Sequence, residues 1–306
     1  MTYRMKQTFY SNGKLLITGE YAVLDGALAL ALPTKFGQDL VVAVGENKCL
    51  EWKSYDSDKK IWFEDVITFE EIIIQTATNN PIKATLLKIL HEASLANPNF
   101  LQSDGFVISA HLTFPRSWGL GTSSTLINNI AQWLKIDAYE LLKNSFGGSG
   151  YDIACAQHNT PLCYRLTQGK PNVTPVAFHP DFTKQLYFVY LNTKQSSKTA
   201  IASYNSKKKN ANVFVPLIDS LTQAVLKTRE VQHFASLLEE HETVMSGILE
   251  IDKVKDILFS DFNGTVKSLG AWGGDFVLVV SDRNPTPYFE SKGFKIVIPY
   301  EKMILS

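Results

Sequence analysis

The chain has 306 residues, 45% of them hydrophobic, and thirty basic side chains balance thirty acidic ones. That length supports a sizeable core in one large domain or two modest ones. With no net charge there is no general attraction to nucleic acid or to an anionic membrane, so any anion site has to be built from local groups. Cys49, Cys155 and Cys163 form an odd set without zinc-type spacing, as expected of a protein in reducing cytoplasm, and no apolar run is long enough to cross a bilayer.

Apolar runs predict strands over residues 14–22, 28–32, 39–44 and 61–69, with the polar residues 53–60 as a hairpin or loop. An antiparallel sheet is the simplest result. Residues 81–95 place Ile82, Leu86, Ile89, Leu90 and Ala93 at helical spacing, and residues 105–114 return to a strand. That strand runs directly into Pro115-Arg-Ser-Trp-Gly-Leu-Gly-Thr-Ser-Ser-Thr125, which precedes an apolar helical run over 126–134. Gly119 and Gly121 allow a tight turn and close approach to a ligand, and the free amides opening the helix point at an anion. Thr122, Ser123 and Ser124 add hydroxyls that can cap the helix, bind phosphate oxygens or ligate Mg²⁺.

Farther on, Gly147-Gly-Ser-Gly-Tyr-Asp152 sets an aspartate after a glycine-rich turn, where it can meet a ligand or cap a helix starting at Ile153. Strands are expected over 162–166 and 186–191, with a change of domain near 168–172. A helix is expected over 198–204, and the basic cluster in 205–212 reads as a solvated loop. Helices over 213–227 and 233–249 and strands over 276–281 and 294–299 complete the pattern.

Four segments together resemble the GHMP kinase superfamily, and the resemblance covers most of the chain. Gly13-Lys14 and Gly19-Glu20-Tyr21 match its first motif, with Asn12 in place of proline; residues 115–124 match its second, with Thr122 in place of the first serine and Ser124 in place of alanine; Gly148 to Asp152 match its aspartate motif. Gly270 to Asp275 match its third motif, except that Trp272 replaces a glycine. The resemblance implies an α+β, two-domain GHMP kinase fold: an N-terminal domain over 1–170 holding the ATP loop and a C-terminal, ferredoxin-like domain over 171–306.

It also implies ATP and Mg²⁺ as cofactors. Gly119, Leu120, Gly121, Thr122, Ser123 and Ser124, with Gly270, Trp272 and Gly273, would hold the nucleotide, and Ser123 would ligate the metal. Asp152 would be the general base and Lys14 the charge that stabilises the moving phosphoryl group. Glu20, Tyr21, Ser197 and Lys198 fall where the family meets its substrate, with Glu20 orienting Lys14 or closing a structural hydrogen bond rather than reacting. The family's glutamate metal ligand has no close counterpart, and Glu140 is the nearest carboxylate of that type. Trp272 would narrow or block the phosphate pocket.

The implied activity is phosphorylation of mevalonate or 5-phosphomevalonate, with homoserine kinase or diphosphomevalonate decarboxylase activity as alternatives. A nucleotide-binding regulator without catalysis is the alternative from another class. The expected partner is a small molecule, with no nucleic acid and no membrane, and a homodimer is allowed.

Overall fold

The computed structural model describes residues 6–195, 197–208 and 210–305; the side chains of Ser197 and Lys198 lie outside that description. The strands are β1 (Lys6–Thr18), β2 (Ala29–Val44), β3 (Cys49–Tyr55), β4 (Ile61–Thr68), β5 (Phe106–Leu112), β6 (Leu162–Thr167), β7 (Lys170–Pro175), β8 (Leu186–Tyr190), β9 (Thr265–Ser268), β10 (Phe276–Val280) and β11 (Val297–Pro299). The helices are α1 (Phe69–Ile74), α2 (Pro81–Ala96), α3 (Thr122–Leu134), α4 (Ala138–Ser145), α5 (Tyr151–Gln157), α6 (Ser197–Lys207), α7 (Ala211–Lys227), α8 (Val231–Leu249), α9 (Val254–Leu258), α10 (Thr286–Ser291) and α11 (Tyr300–Met303). Among the described residues no helix is long and apolar enough to cross a membrane.

Two compact units form, each from separate stretches of chain. The first takes residues through Gly13, then Phe36–Arg116 and Leu120–Gln157; the second takes Lys14–Lys35, Ser117–Gly119 and the chain from His158 onward.

In the first unit the strands lie in the order β4-β3-β5-β2, with β3 and β5 parallel and the other neighbours antiparallel. Alternation along β3 explains the layering: Leu50 and Trp52 are buried, whereas Glu51 and Lys53 are exposed. The buried face joins Leu86, Leu87 and Leu90 of α2 and Ile127, Ile130 and Leu134 of α3 in one core. Helix α2 starts where expected, because Pro81 stands at its first turn and the Asn80 side chain accepts from the Ile82 and Lys83 amides.

In the second unit β11-β8-β10-β9 form an antiparallel sheet. Numbered within that sheet the order is 4-1-3-2, and helices connect first to second and third to fourth strands, which is the ferredoxin-like arrangement. Its central strand β10 is buried along its whole length and accordingly reads as an unbroken apolar run. A second pairing set links Ala29–Ala31 of β2 to β6, and β6 to β7 through a two-residue turn at Gln168 and Gly169, both with positive φ.

The predicted strands over 28–32 and 39–44 are one strand, β2, which continues through Pro33 and Gly37. The strand predicted to reach residue 22 ends at Thr18, because Gly19 (φ 85°) and Tyr21 (φ 57°) turn the chain. Strands β3, β7 and β9 were not foreseen, and β3 runs into residues 53–55 of the segment predicted as a hairpin or loop. In β9 all four residues are buried, Lys267 included, so alternation gives no signal.

Candidate functional site

In the first unit, Gly121 (φ 98°) is the N-cap of α3 and no side chain caps that end. The first-turn amides therefore lack a side-chain acceptor, and no acidic residue lies in the turn to compete with an anion. Ser124 Oγ donates back to Gly121 O at 3.1 Å, and Thr125 Oγ1 donates to Gln38 Oε1 at 2.7 Å. Ser123 is half-buried and has no hydrogen-bond partner among the described residues, so it is not a helix cap. Leu120 is fully buried, which leaves only its backbone to meet a ligand.

Asp152 lies in the first turn of α5, after Gly147, Gly148 and Gly150, all with φ between 82° and 107°. A Cβ at Gly147 or Gly148 would meet nothing within 4 Å, so the left-handed backbone, not crowding, calls for glycine there. Asp152 Oδ1 is buried and has no hydrogen-bond partner. An orphaned carboxylate oxygen inside a protein costs free energy, and a residue that carries one is a candidate for meeting a ligand.

A neutral polar network that sequence reading missed fixes these helices. Asn129 Nδ2 donates to Gln38 O at 2.8 Å and Ser11 Oγ donates to Asn129 Oδ1 at 2.7 Å. Asn128 Nδ2 donates to Ser11 Oγ at 2.8 Å, and Gln157 Nε2 donates to Asn128 Oδ1 at 3.0 Å. Helix α3 is thereby tied to β1, β2 and α5, the helix of Asp152. The signal available in the sequence was the pair Asn128-Asn129 inside an otherwise apolar helical run.

Glu140 is exposed in the first turn of α4, which begins beyond the far end of α3 from Ser123, and its carboxylate lies 3.5 Å from Lys143 Nζ. The structure does not bring it to Ser123. Arg116 packs its guanidinium 4.6 Å from the Trp62 ring centroid, and its amide donates to Asp56 Oδ1 at 3.1 Å.

In the second unit, Asp275 (φ 52°) lays its carboxylate against Gly119: a Cβ on Gly119 would stand 2.3 Å from Asp275 Cγ. Only glycine fits there. Burial pushes the Asp275 carboxyl above its ordinary range, while the charges of Lys14 and Lys194 and the Gln195 amide pull it down. Lys14 from the first motif, Gly119 from the second and Asp275 from the third thus act on one another. Gly273 and Gly274 pack against Thr193 and Gln195, and a Cβ at Gly274 would lie 2.5 Å from Thr193 O.

Tyr21 stacks on Tyr204 at 5.5 Å between centroids, and its hydroxyl accepts from the Trp272 amide at 3.1 Å. Burial, with Glu20 and Asp275 nearby, pushes the Tyr21 phenol up to about 12, so it keeps its proton and can donate it to a hydrogen bond.

Two expectations change. The Trp272 side chain does not line a phosphate pocket. It is 5% exposed and packs with Ala22, Ala27, Tyr204, Phe214 and Met245, because the large apolar indole gains more from this core than from the loop surface. Glu20 is not at a substrate surface: it is fully buried and ion-paired with Lys267. Ser197 and Lys198 open α6, and their side chains lie outside the described residues. Gly270 (φ 63°) and Gly273 (φ 85°) carry the third loop through left-handed conformations.

No family sequence model matches the chain and no curated protein matches it. Solved structures do. The Methanococcus jannaschii mevalonate kinase aligns at 17% identity with a TM-score of 0.71, covering 96% of each chain. The Streptococcus pneumoniae phosphomevalonate kinase in complex with phosphomevalonate and AMPPNP aligns at 16% identity and TM-score 0.69, over 94% of this chain and 95% of that one. The Lactococcus lactis galactokinase complexed with galactose aligns at 13% identity and TM-score 0.64, over 94% and 88%. With the motif order and the 4-1-3-2 sheet, these matches along nearly the whole chain establish that the protein has the GHMP kinase fold.

Proposed function

We propose that the protein is an ATP- and Mg²⁺-dependent small-molecule kinase that phosphorylates mevalonate or 5-phosphomevalonate. The observation that carries this reading is the buried, unpartnered oxygen of Asp152 on a helix tied by its own network to an uncapped, acid-free helix N-terminus. The open amides of α3 and the uncommitted Ser123 hydroxyl suit a phosphate and its metal. Bound Mg·ATP supplies the phosphoryl group and neutralises much of its charge.

The chain's own residues do the rest. Asp152 accepts the proton of an acceptor hydroxyl and holds its oxygen in line. Lys14 places a positive charge where negative charge builds on the transferred group. Tyr21 donates its phenolic proton to an acceptor oxygen. The regulator reading rested on an indole among the phosphates and on the missing glutamate ligand; Trp272 lies in the core, which removes the first of these grounds.

ATP turnover with mevalonate, 5-phosphomevalonate and homoserine in parallel tests the proposal. Turnover with one of the first two is expected; homoserine as the preferred acceptor, or none of the three, overturns it. Asp152→Asn keeps the shape and removes the proton acceptor, so kcat should drop by about 10²-fold or more with the melting temperature unchanged. Near-normal kcat in that folded variant would rule Asp152 out as the base.

A further inference from the structure

The turn at residues 19–21 and the loop at residues 270–275 touch at their tips through the Trp272 amide and the Tyr21 hydroxyl. Their roots are joined by four ionisable side chains. Lys267, on the strand that feeds the loop, is 0% exposed and donates to Glu20 Oε1, at the root of the turn, and to Ser268 O at 2.8 Å. Two consecutive residues of α8 hold one root each. His241 Nε2 accepts the Gly19 amide at 3.0 Å, and Glu242 Oε1 accepts from Ser268 N at 3.1 Å and from Ser268 Oγ at 2.8 Å. Glu20 Oε2 lies 3.4 Å from His241 Nε2.

A buried ion pair is seldom the most stable way to fill such a space. Two apolar side chains of similar volume are often as stable or more so, because neither charge then has to leave water. The arrangement also leaves Glu20 Oε2 and His241 Nδ1 without hydrogen bonds. What charges and aligned donors provide that methyl groups do not is direction: each bond holds its two atoms within a narrow range of distance and angle. Here the directed bonds all end at the roots of the two loops that carry Tyr21 and Asp275.

We infer that Glu20, Lys267, His241 and Glu242 form a clamp that sets the spacing of these two loops, and that they are positioning residues for acceptor binding through Tyr21. The effect on the acceptor rests on the kinase reading; the clamp itself does not. Gly19 makes the fit strict, since a Cβ there would stand 2.8 Å from Ala29 Cβ. Tyr21, at a positive φ unusual for a bulky residue, has to be held by its surroundings.

The test uses the full chain labelled with 3-fluorotyrosine, with the Tyr21 resonance assigned by its loss in Tyr21→Phe. In the double variant Glu20→Gln/Lys267→Met both members of the ion pair go together, so neither is left as a lone buried charge; Glu242 keeps its bonds from Ser268, and the protein should remain folded. Its Tyr21 fluorine resonance should nevertheless shift, and the KM for the acceptor should rise about 10-fold, the scale of one well-placed hydrogen bond, while the KM for ATP changes less than about 2-fold. A purely structural role would leave the folded double variant with wild-type KM values. An unmoved Tyr21 resonance, or a moved one with an unchanged acceptor KM, overturns the proposal. If wild type turns over none of the acceptors, the kinase reading fails and the fluorine resonance alone decides the clamp. Should the double variant not fold, Glu242→Gln, which keeps the shape and weakens only the Ser268 end, is read in the same ways.

Discussion

The two units secure their loops with opposite chemistry. Around α3 the first unit uses only neutral groups: Ser11, Asn128 and Asn129 both give and receive hydrogen bonds, Thr125 and Gln157 donate, and Gln38 accepts. Around the 270–275 loop the second unit uses charges: Glu20, Lys267 and Glu242, with His241 beside them. Amides cost less to bury than ions and do not titrate. Ions cost more to desolvate and depend on pH, and losing one partner leaves the other stranded. The neutral lattice should therefore tolerate single losses and changes of pH far better than the charged clamp.

The largest break in that comparison is expected from Lys267→Met alone. Glu20 would remain buried without its cation, at a cost of about 3–5 kcal/mol. Denaturant unfolding should show that loss at pH 7.5, and a smaller one at pH 5, where Glu20 takes up a proton. A loss below that of Asn129→Ala would show that the ion pair is not the critical tie.

Second is the pH dependence of the clamp. Burial dominates at Glu20 and pushes its carboxyl up to about 7 against the attraction of Lys267. A raised folded value means that the native state binds the proton more tightly than the unfolded chain. The stability this contributes is full below the ordinary carboxylate range and is lost as pH rises through about 7. The difference in unfolding free energy between wild type and Glu20→Gln should fall by up to about 3 kcal/mol from pH 4.5 to pH 8. His241, held neutral by burial and by Lys267, works in the opposite direction below its ordinary range; because it touches residue 20, the full fall is an upper bound. A flat difference would mean that Glu20 does not titrate in this window.

The smallest effect is in the neutral lattice. Asn129→Ala removes the acceptor of the Ser11 hydroxyl proton and the side-chain donor to Gln38 O, at a cost of about 1–3 kcal/mol. Because none of the lattice residues titrates between pH 5 and pH 8, this loss should be the same at both ends of that range. Thermal melts of wild type and variant at the two pH values check it, and a marked difference would mean that the two networks are less distinct than their chemistry implies.

The glycine turns before Asp152 and before α3 were legible because local rules govern them: glycines that permit left-handed turns, and a helix whose apolar residues recur every three or four positions. Lys267 was not. A lysine in a short stretch of mostly polar residues reads as surface, and only its partner 247 residues away explains its burial. The direction of Trp272 was equally hidden, since its place in a glycine loop suggests a ligand pocket and its destination is a core made by α6, α7 and α8.

By itself the sequence determined where the chain turns, which segments are amphipathic, and which hydroxyls, carboxylates and amides stand beside those turns. Backbone conformation and periodicity depend on residues a few positions apart, so a single chain displays them. Tertiary structure alone decided that residues 14–35 group with the chain after residue 158, that Gly119 lies under Asp275, and that Glu20 pairs inside the protein instead of facing a substrate. Those outcomes rest on burial and on pairing between distant residues. The cost of burying a charge is set by the partner that meets it, which no local stretch of sequence contains.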